Sequence, residues 1–258
     1  MTAWFSLYSA CADASAVTMA LRDPLAALGY SEFNPFGAMP GRAYREAVRL
    51  FVAPATNGWT RVIGEPHPVQ IAALSQIAPC LLLALNGSDA RVEAYVDGEN
   101  AALETALAPY ADPDCIRRAL IISGGTSAPR VGSVELDALP DDVRDMAQGI
   151  DLKQAGSLFS RLSANLMKKT GGEEAAARQL LTGDRPDWNS PGGARIQALL
   201  ACLGLEGHEP DFVTLRDAYA LHERHRRNPN AMLYPGDAEA MRAVPDALSY
   251  QPVYAGRD

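Results

Sequence analysis

Residues 80–85 read Cys-Leu-Leu-Leu-Ala-Leu, an apolar run with no polar break. A strand wet on one face alternates apolar with polar side chains, so a run without alternation predicts a strand covered on both faces. The longer apolar stretch it belongs to, residues 77–85, falls far short of the roughly 20 residues that a membrane-spanning helix needs. Asn86-Gly87 follows, a pair suited to the positive φ angles of a tight hairpin. Val92, Ala94 and Val96 then alternate with Glu93 and Tyr95 up to Asp97-Gly98, which predicts the partner strand.

Upstream, residues 4–9 are aromatic and β-rich. After Asp13, a good helix cap, Val17, Leu21, Leu25 and Leu28 recur at helical spacing until Gly29. Pro24 predicts a kink or a restart in that helix, because it has no amide donor and crowds the preceding turn. Residues 31–42 carry Asn-Pro and scattered glycines, the chemistry of a loop. Val48, Leu50 and Val52 alternate with Arg49 and Phe51, and residues 59–63 alternate again. From Pro68, Ile71, Leu74 and Ala78 mark a short helix before the apolar run. The order is strand, helix, strand, strand, helix, strand, with one strand appended. In element order it resembles the ferredoxin-like sandwich, which implies one sheet with two helices against one side. That superfold hosts many unrelated functions, so the resemblance implies no activity.

Residues 101–110 and 113–117 read as helices, and the Gly-Gly-Thr-Ser-Ala-Pro stretch within 124–132 reads as a linker. Beyond it, helical patterns cover 140–148, a stripe from Leu152 to Leu166, 173–181, 191–203 and a long segment capped by Asp211, with one short helix after Asp237. The expectation is therefore an α+β chain. Residues 1–125 form a ferredoxin-like α/β sandwich (βαββαβ plus an extra strand), and residues 133–258 form a mostly helical half with an irregular carboxyl-terminal tail.

The net charge of −8 argues against a polyanionic partner, because Lys and Arg supply the counter-ion release that drives nucleic-acid binding. Neither nucleic acid nor membrane is expected as a partner. Cys11, Cys80, Cys115 and Cys202 stand far apart with no CxxC or Cys/His spacing, so they read as free, mostly buried thiols in a reducing compartment, with no metal site. The first residues lack a basic patch followed by an apolar run, so no export signal is read and the expected location is cytoplasmic. No motif calls for a cofactor: the glycines at 192–193 have no following Lys as in a P-loop, and no GxSxG elbow occurs.

Three constellations carry chemistry. Trp4 and Tyr8 share one side of the first strand, and Trp59 and Arg61, with Glu65 nearby, can join them on an aromatic face open to a ligand or partner. Packing against helices explains the same residues. Trp188, Ser190 and Arg195 surround a helix start where an anion could meet uncovered amides, although Ser190 as a cap and the glycines as a close packing point explain it equally. His222, Arg226 and Arg227 close a long helix, where cations offset the negative end of the helix dipole or could hold a phosphate or carboxylate. The tail segments at 228–236 and 250–254 either wrap their own domain or dock in extended form. The first expectation is a non-catalytic binding or regulatory module that contacts a protein or a small ligand. The second is an enzyme that acts on a small anionic substrate in a cleft between the halves, with Arg195, Arg226, Arg227 and His222 as its polar groups. A homo-oligomer through a sheet edge or the tail is a third.

Overall fold

The aromatic, β-rich residues 4–9 do fold as a strand, and the apolar run pairs alongside it. The computed structural model describes residues 3–37, 43–122, 186–205, 207–230 and 232–258. Residues 3–123 and 186–258 belong to one compact unit. Its elements are β1 (Trp4–Ser9), α1 (Ala14–Ala27), β2 (Ser31–Glu32), β3 (Glu46–Val52), β4 (Thr60–Ile63), α2 (Pro68–Ser75), β5 (Cys80–Asn86), β6 (Asp89–Val96), β7 (Glu99–Ala101), α3 (Leu103–Leu107), α4 (Pro113–Leu120), α5 (Pro191–Cys202), α6 (Phe212–Arg227), α7 (Asp237–Ala243), a 3-10 turn (Ala247–Ser249) and β8 (Gln251–Arg257).

The fold is α+β. Eight strands form one sheet in the order β2-β8-β3-β4-β1-β5-β6-β7, with every pair antiparallel. This order differs from the expected front-half sheet with one appended strand, because β8 enters beside β3 and β2 and β7 close the two edges. The last described residues, expected as an irregular tail, are thus a strand inside the sheet, with Val48 opposite Ala255 and Leu50 opposite Val253. Pro252 is tolerated there because β2 pairs β8 only at residues 255–256, and the Pro252 carbonyl accepts from Arg22 instead. The separate helical half expected from 133 to 258 likewise gives way over residues 186–258, which pack on the front sheet. The helical patterns at 140–148, 152–166 and 173–181 lie outside the described residues.

Alternation along each strand sorts the core into two faces. On one face Leu7, Leu50, Val52, Val62, Cys80, Leu82 and Val253 meet Val17, Leu21 and Leu25 of α1 and Ile71 and Leu74 of α2. On the other, two groups of helices share the sheet. Leu107 of α3, Ile116 of α4 and Ile196, Leu199 and Leu200 of α5 cover Trp4, Tyr8, Leu81, Leu83 and Leu85. Leu215 and Ala218 of α6, with Val244 and Ala247, cover Phe51, Ile63 and Tyr254. The run at 80–85 is buried on both faces as its composition requires.

Local chemistry sets the helix starts. Asp13 accepts from the Ser15 and Ala16 amides, Asp211 from Thr214, and His67 with Gln70 forms a reciprocal box at the start of α2. The restart allowed at Pro24 does not occur: α1 runs unbroken from Ala14 to Ala27 with Pro24 inside it. The cysteine reading is also corrected. Cys115 of α4 and Cys202 of α5 form a disulfide with Cα atoms 5.9 Å apart, leaving Cys11 and Cys80 free. Packing brings together two residues 87 positions apart, which sequence spacing could not reveal. Among the described residues no helix is long and apolar enough to cross a membrane.

Candidate functional site

The face carrying α1 and α2 is incompletely roofed. The helix α2 is only eight residues long and packs beside α1, so its cover thins out over β6. Register places three rows of side chains there. Phe5 stands opposite Ala84 and Ala84 opposite Arg91, Leu82 opposite Glu93, and Cys80 opposite Tyr95. Between this floor and α2 lies a cavity of about 410 Å³, lined by Phe5, Leu82, Arg91 and Tyr95 of the sheet, Pro68, Ile71 and Ala72 of the helix, buried Pro66, exposed Glu65 and half-buried Gly98. One end is fixed by the β6–β7 turn, where Asp97 and Gly98 both adopt positive φ and their amides donate to the Ser75 carbonyl and Ser75 Oγ.

The polar groups of the floor are already organised. Arg91 holds Glu93 through two hydrogen bonds of 2.7 Å, and the Tyr95 hydroxyl donates to the same carboxylate at 2.6 Å. The Arg91 guanidinium holds the Glu93 carboxyl below its ordinary range, and burial, followed by the Glu93 contact, pushes the Tyr95 phenol up. Glu65, exposed at the rim, makes no hydrogen bond or ion pair with any described residue. The groove thus combines aliphatic and aromatic walls, an internally neutralised ion pair and one free carboxylate.

The opposite face has a different centre. Arg61 of β4 is almost wholly buried where the two helix groups part. Its Nε donates to Ser6 Oγ at 2.9 Å, and its terminal nitrogens donate to the carbonyls of His208, Glu209 and Pro210 at 2.8, 2.8 and 3.1 Å. The guanidinium also lies over the Trp4 and Tyr8 rings, 5.6 and 5.9 Å from their centroids. Burial lowers its pKa, and oxygen dipoles rather than a carboxylate bond the charge. Trp4 Nε1 donates to the same His208 carbonyl, while the His208 ring stacks on Trp188 at 3.8 Å. Burial above all moves the His208 imidazole below its usual value. This cluster pins the α5–α6 loop to the sheet.

Of the residues singled out from the sequence, Trp4, Tyr8, Arg61 and Trp188 come together here. The open aromatic face expected of Trp4, Tyr8 and Trp59 is not open: they are 4%, 2% and 4% exposed, with Trp59 packed against Tyr110. Helices α3 to α5 occupy the surface that a ligand was expected to use. Ser190 is the cap of α5 and accepts from the Gly193 amide, and a Cβ on Gly192 would collide with the Ser88 carbonyl, so close packing accounts for the glycine there. Arg195 donates to the Ile122 carbonyl. His222 donates from Nε2 toward the Met241 and Val244 carbonyls, Arg226 pairs with Glu223, and Arg227 donates to the Phe36 carbonyl. The anion-binding group expected of Arg195, Arg226, Arg227 and His222 is therefore not assembled: Arg226 and Arg227 share Glu223, while Arg195 and His222 turn to backbone carbonyls elsewhere.

Sequence reasoning noted Glu65 but passed over Phe5, Ile71, Arg91 and Tyr95 as groove residues. The available signal was the row Arg91, Glu93, Tyr95, a polar face on a strand whose other face, Val92, Ala94 and Val96, is apolar. No protein-family model, no curated protein and no solved structure gives a significant match to the chain.

Proposed function

We propose that this protein is a non-catalytic binding module that takes a small, largely apolar ligand in the groove between α2 and β6. The observation that carries the reading is the cavity of about 410 Å³, a size typical of small-ligand sites, with apolar walls and a few convergent polar groups. Its polar floor favours binding over catalysis. Arg91, Glu93 and Tyr95 satisfy one another, and among the described residues no histidine or cysteine lines the cavity to move a proton or attack a substrate near neutral pH. The ferredoxin-like reading of the front half fits this proposal. The four strands β3-β4-β1-β5 are consecutive and antiparallel, with α1 and α2 against one face, and the groove opens where that helix pair ends. The cytoplasmic setting is not carried into the proposal, because a Cys115–Cys202 disulfide belongs with oxidising compartments. The enzyme reading has less support, since Arg226 and Arg227 are neutralised by Glu223 while Arg195 and His222 are engaged by carbonyls elsewhere. Assembly through a sheet edge has little template to work with, since the edge strands β2 and β7 span two and three residues.

Titration with indole, followed through backbone amide shifts, tests the proposal. Saturable shifts are expected at Phe5, Ala72 and Tyr95, and they vanish in Ala72→Trp, whose indole side chain fills the cavity while the rest of the spectrum stays folded. Shifts that are absent, or that persist unchanged in that variant, overturn the reading.

A further inference from the structure

We propose that the groove selects organic cations: amines, or quaternary ammonium groups, carried on an apolar or aromatic body. This inference rests on the groove being a ligand site and names the chemistry it prefers. Three observations carry it.

The first is charge. Among the described residues lining the cavity, Arg91 is the only cation, and its charge is spent on Glu93 through two 2.7 Å hydrogen bonds. An anionic ligand would have to take Arg91 from that bidentate pairing and leave the Glu93 carboxylate with only the Tyr95 hydroxyl. Glu65 at the rim needs no such exchange, because its carboxylate is without a partner among the described residues. With the Arg91–Glu93 pair neutral as a unit, the site carries one unspent negative charge.

The second is the aromatic lining. Phe5 and Tyr95 both border the cavity and both remain partly exposed. The ring faces attract a cation and tolerate an apolar body equally well, whereas they offer nothing to a carboxylate. The third is the division of the walls. Leu82 and Ile71 supply the apolar interior, while Glu65 stands at the mouth. A ligand seated tail-inward therefore presents its charged end to Glu65, where water still solvates both ions and no charge has to be buried.

Three probes of one shape separate the outcomes: 2-phenylethylamine, its neutral counterpart 2-phenylethanol, and 3-phenylpropanoate. Affinities are read from amide shifts at Phe5, Ala72 and Tyr95 in the full chain. The amine is expected to bind about tenfold more tightly than the alcohol, and the carboxylate most weakly. Glu65→Gln is expected to erase the tenfold preference, so that the variant binds amine and alcohol alike, and added salt is expected to narrow the preference of the unmodified chain. Equal binding of amine and alcohol overturns the cation preference but leaves the groove a ligand site, and tightest binding by the carboxylate does the same. If none of the three moves the groove amides while indole does, the ligand class is wrong. If indole also fails, the site itself is refuted.

Discussion

The two faces of the sheet use the same residue types for opposite ends. On the face covered by α3 to α7, aromatic side chains and a buried arginine are consumed by cohesion: Trp4, Tyr8 and Arg61 point at one loop and close over it. On the face covered by α1 and α2, the helix pair stops short, and Phe5, Arg91 and Tyr95 border a cavity. The same pairing of aromatics with an arginine is structural under a complete helical cover and available to a ligand under a partial one. Residue type alone does not distinguish these outcomes. The extent of the helix layer does.

The sharpest way to break this contrast is Arg61→Met. Removing the guanidinium leaves the part-buried carbonyls of Glu209 and Pro210 without their donor and the His208 carbonyl with Trp4 Nε1 alone, and a loss of about 3 to 5 kcal/mol is expected in urea unfolding. A loss under about 1 kcal/mol means that the face does not depend on Arg61 for its closure. Next comes the disulfide joining α4 to α5 on the same face. Cys115→Ser is expected to cost about 3 kcal/mol, and wild-type protein without reductant should show two reactive thiols after unfolding. Four reactive thiols would return all the cysteines to the free state.

The smallest effect belongs to the groove face and has a definite sign. Because Arg91 above all holds the Glu93 carboxyl below its ordinary value, the pairing favours the folded state throughout the range above that ordinary value. The contribution is lost as pH falls through the lowered one. Glu93→Gln should therefore flatten the acid limb of a stability-against-pH profile and change neutral stability by only about 0.5 kcal/mol, as befits a partly exposed pair. An unchanged acid limb would show that the pair does not constrain the floor of the groove.

How far the sequence could be read follows the range of the interactions involved. The apolar run at 80–85, the caps Asp13, Ser190 and Asp211, and the turn glycines are local devices, and each lies where its chemistry indicated. β8 escaped notice because Gln251–Arg257 holds a proline and a glycine and gains its character only from β3. The groove was hidden for a related reason: no residue in α2 records that the helix ends before it spans β6. Trp4, Tyr8 and Arg61 were rightly placed on one side of the sheet, but the cover on that side is completed by chain returning from residue 186 onward, which joins α3 and α4 there.

The pairing of Glu46 with Arg257, 211 positions apart, has a consequence for biosynthesis. At ribosomal speeds of roughly 5 to 20 residues per second, β3 emerges on the order of 10 s or more before its neighbour exists. During that interval Val48, Leu50 and Phe51 are displayed along an unfilled edge of a nascent chain. Chaperone engagement and translation rate, more than the equilibrium stability of the finished protein, should therefore govern how much of it is recovered intact.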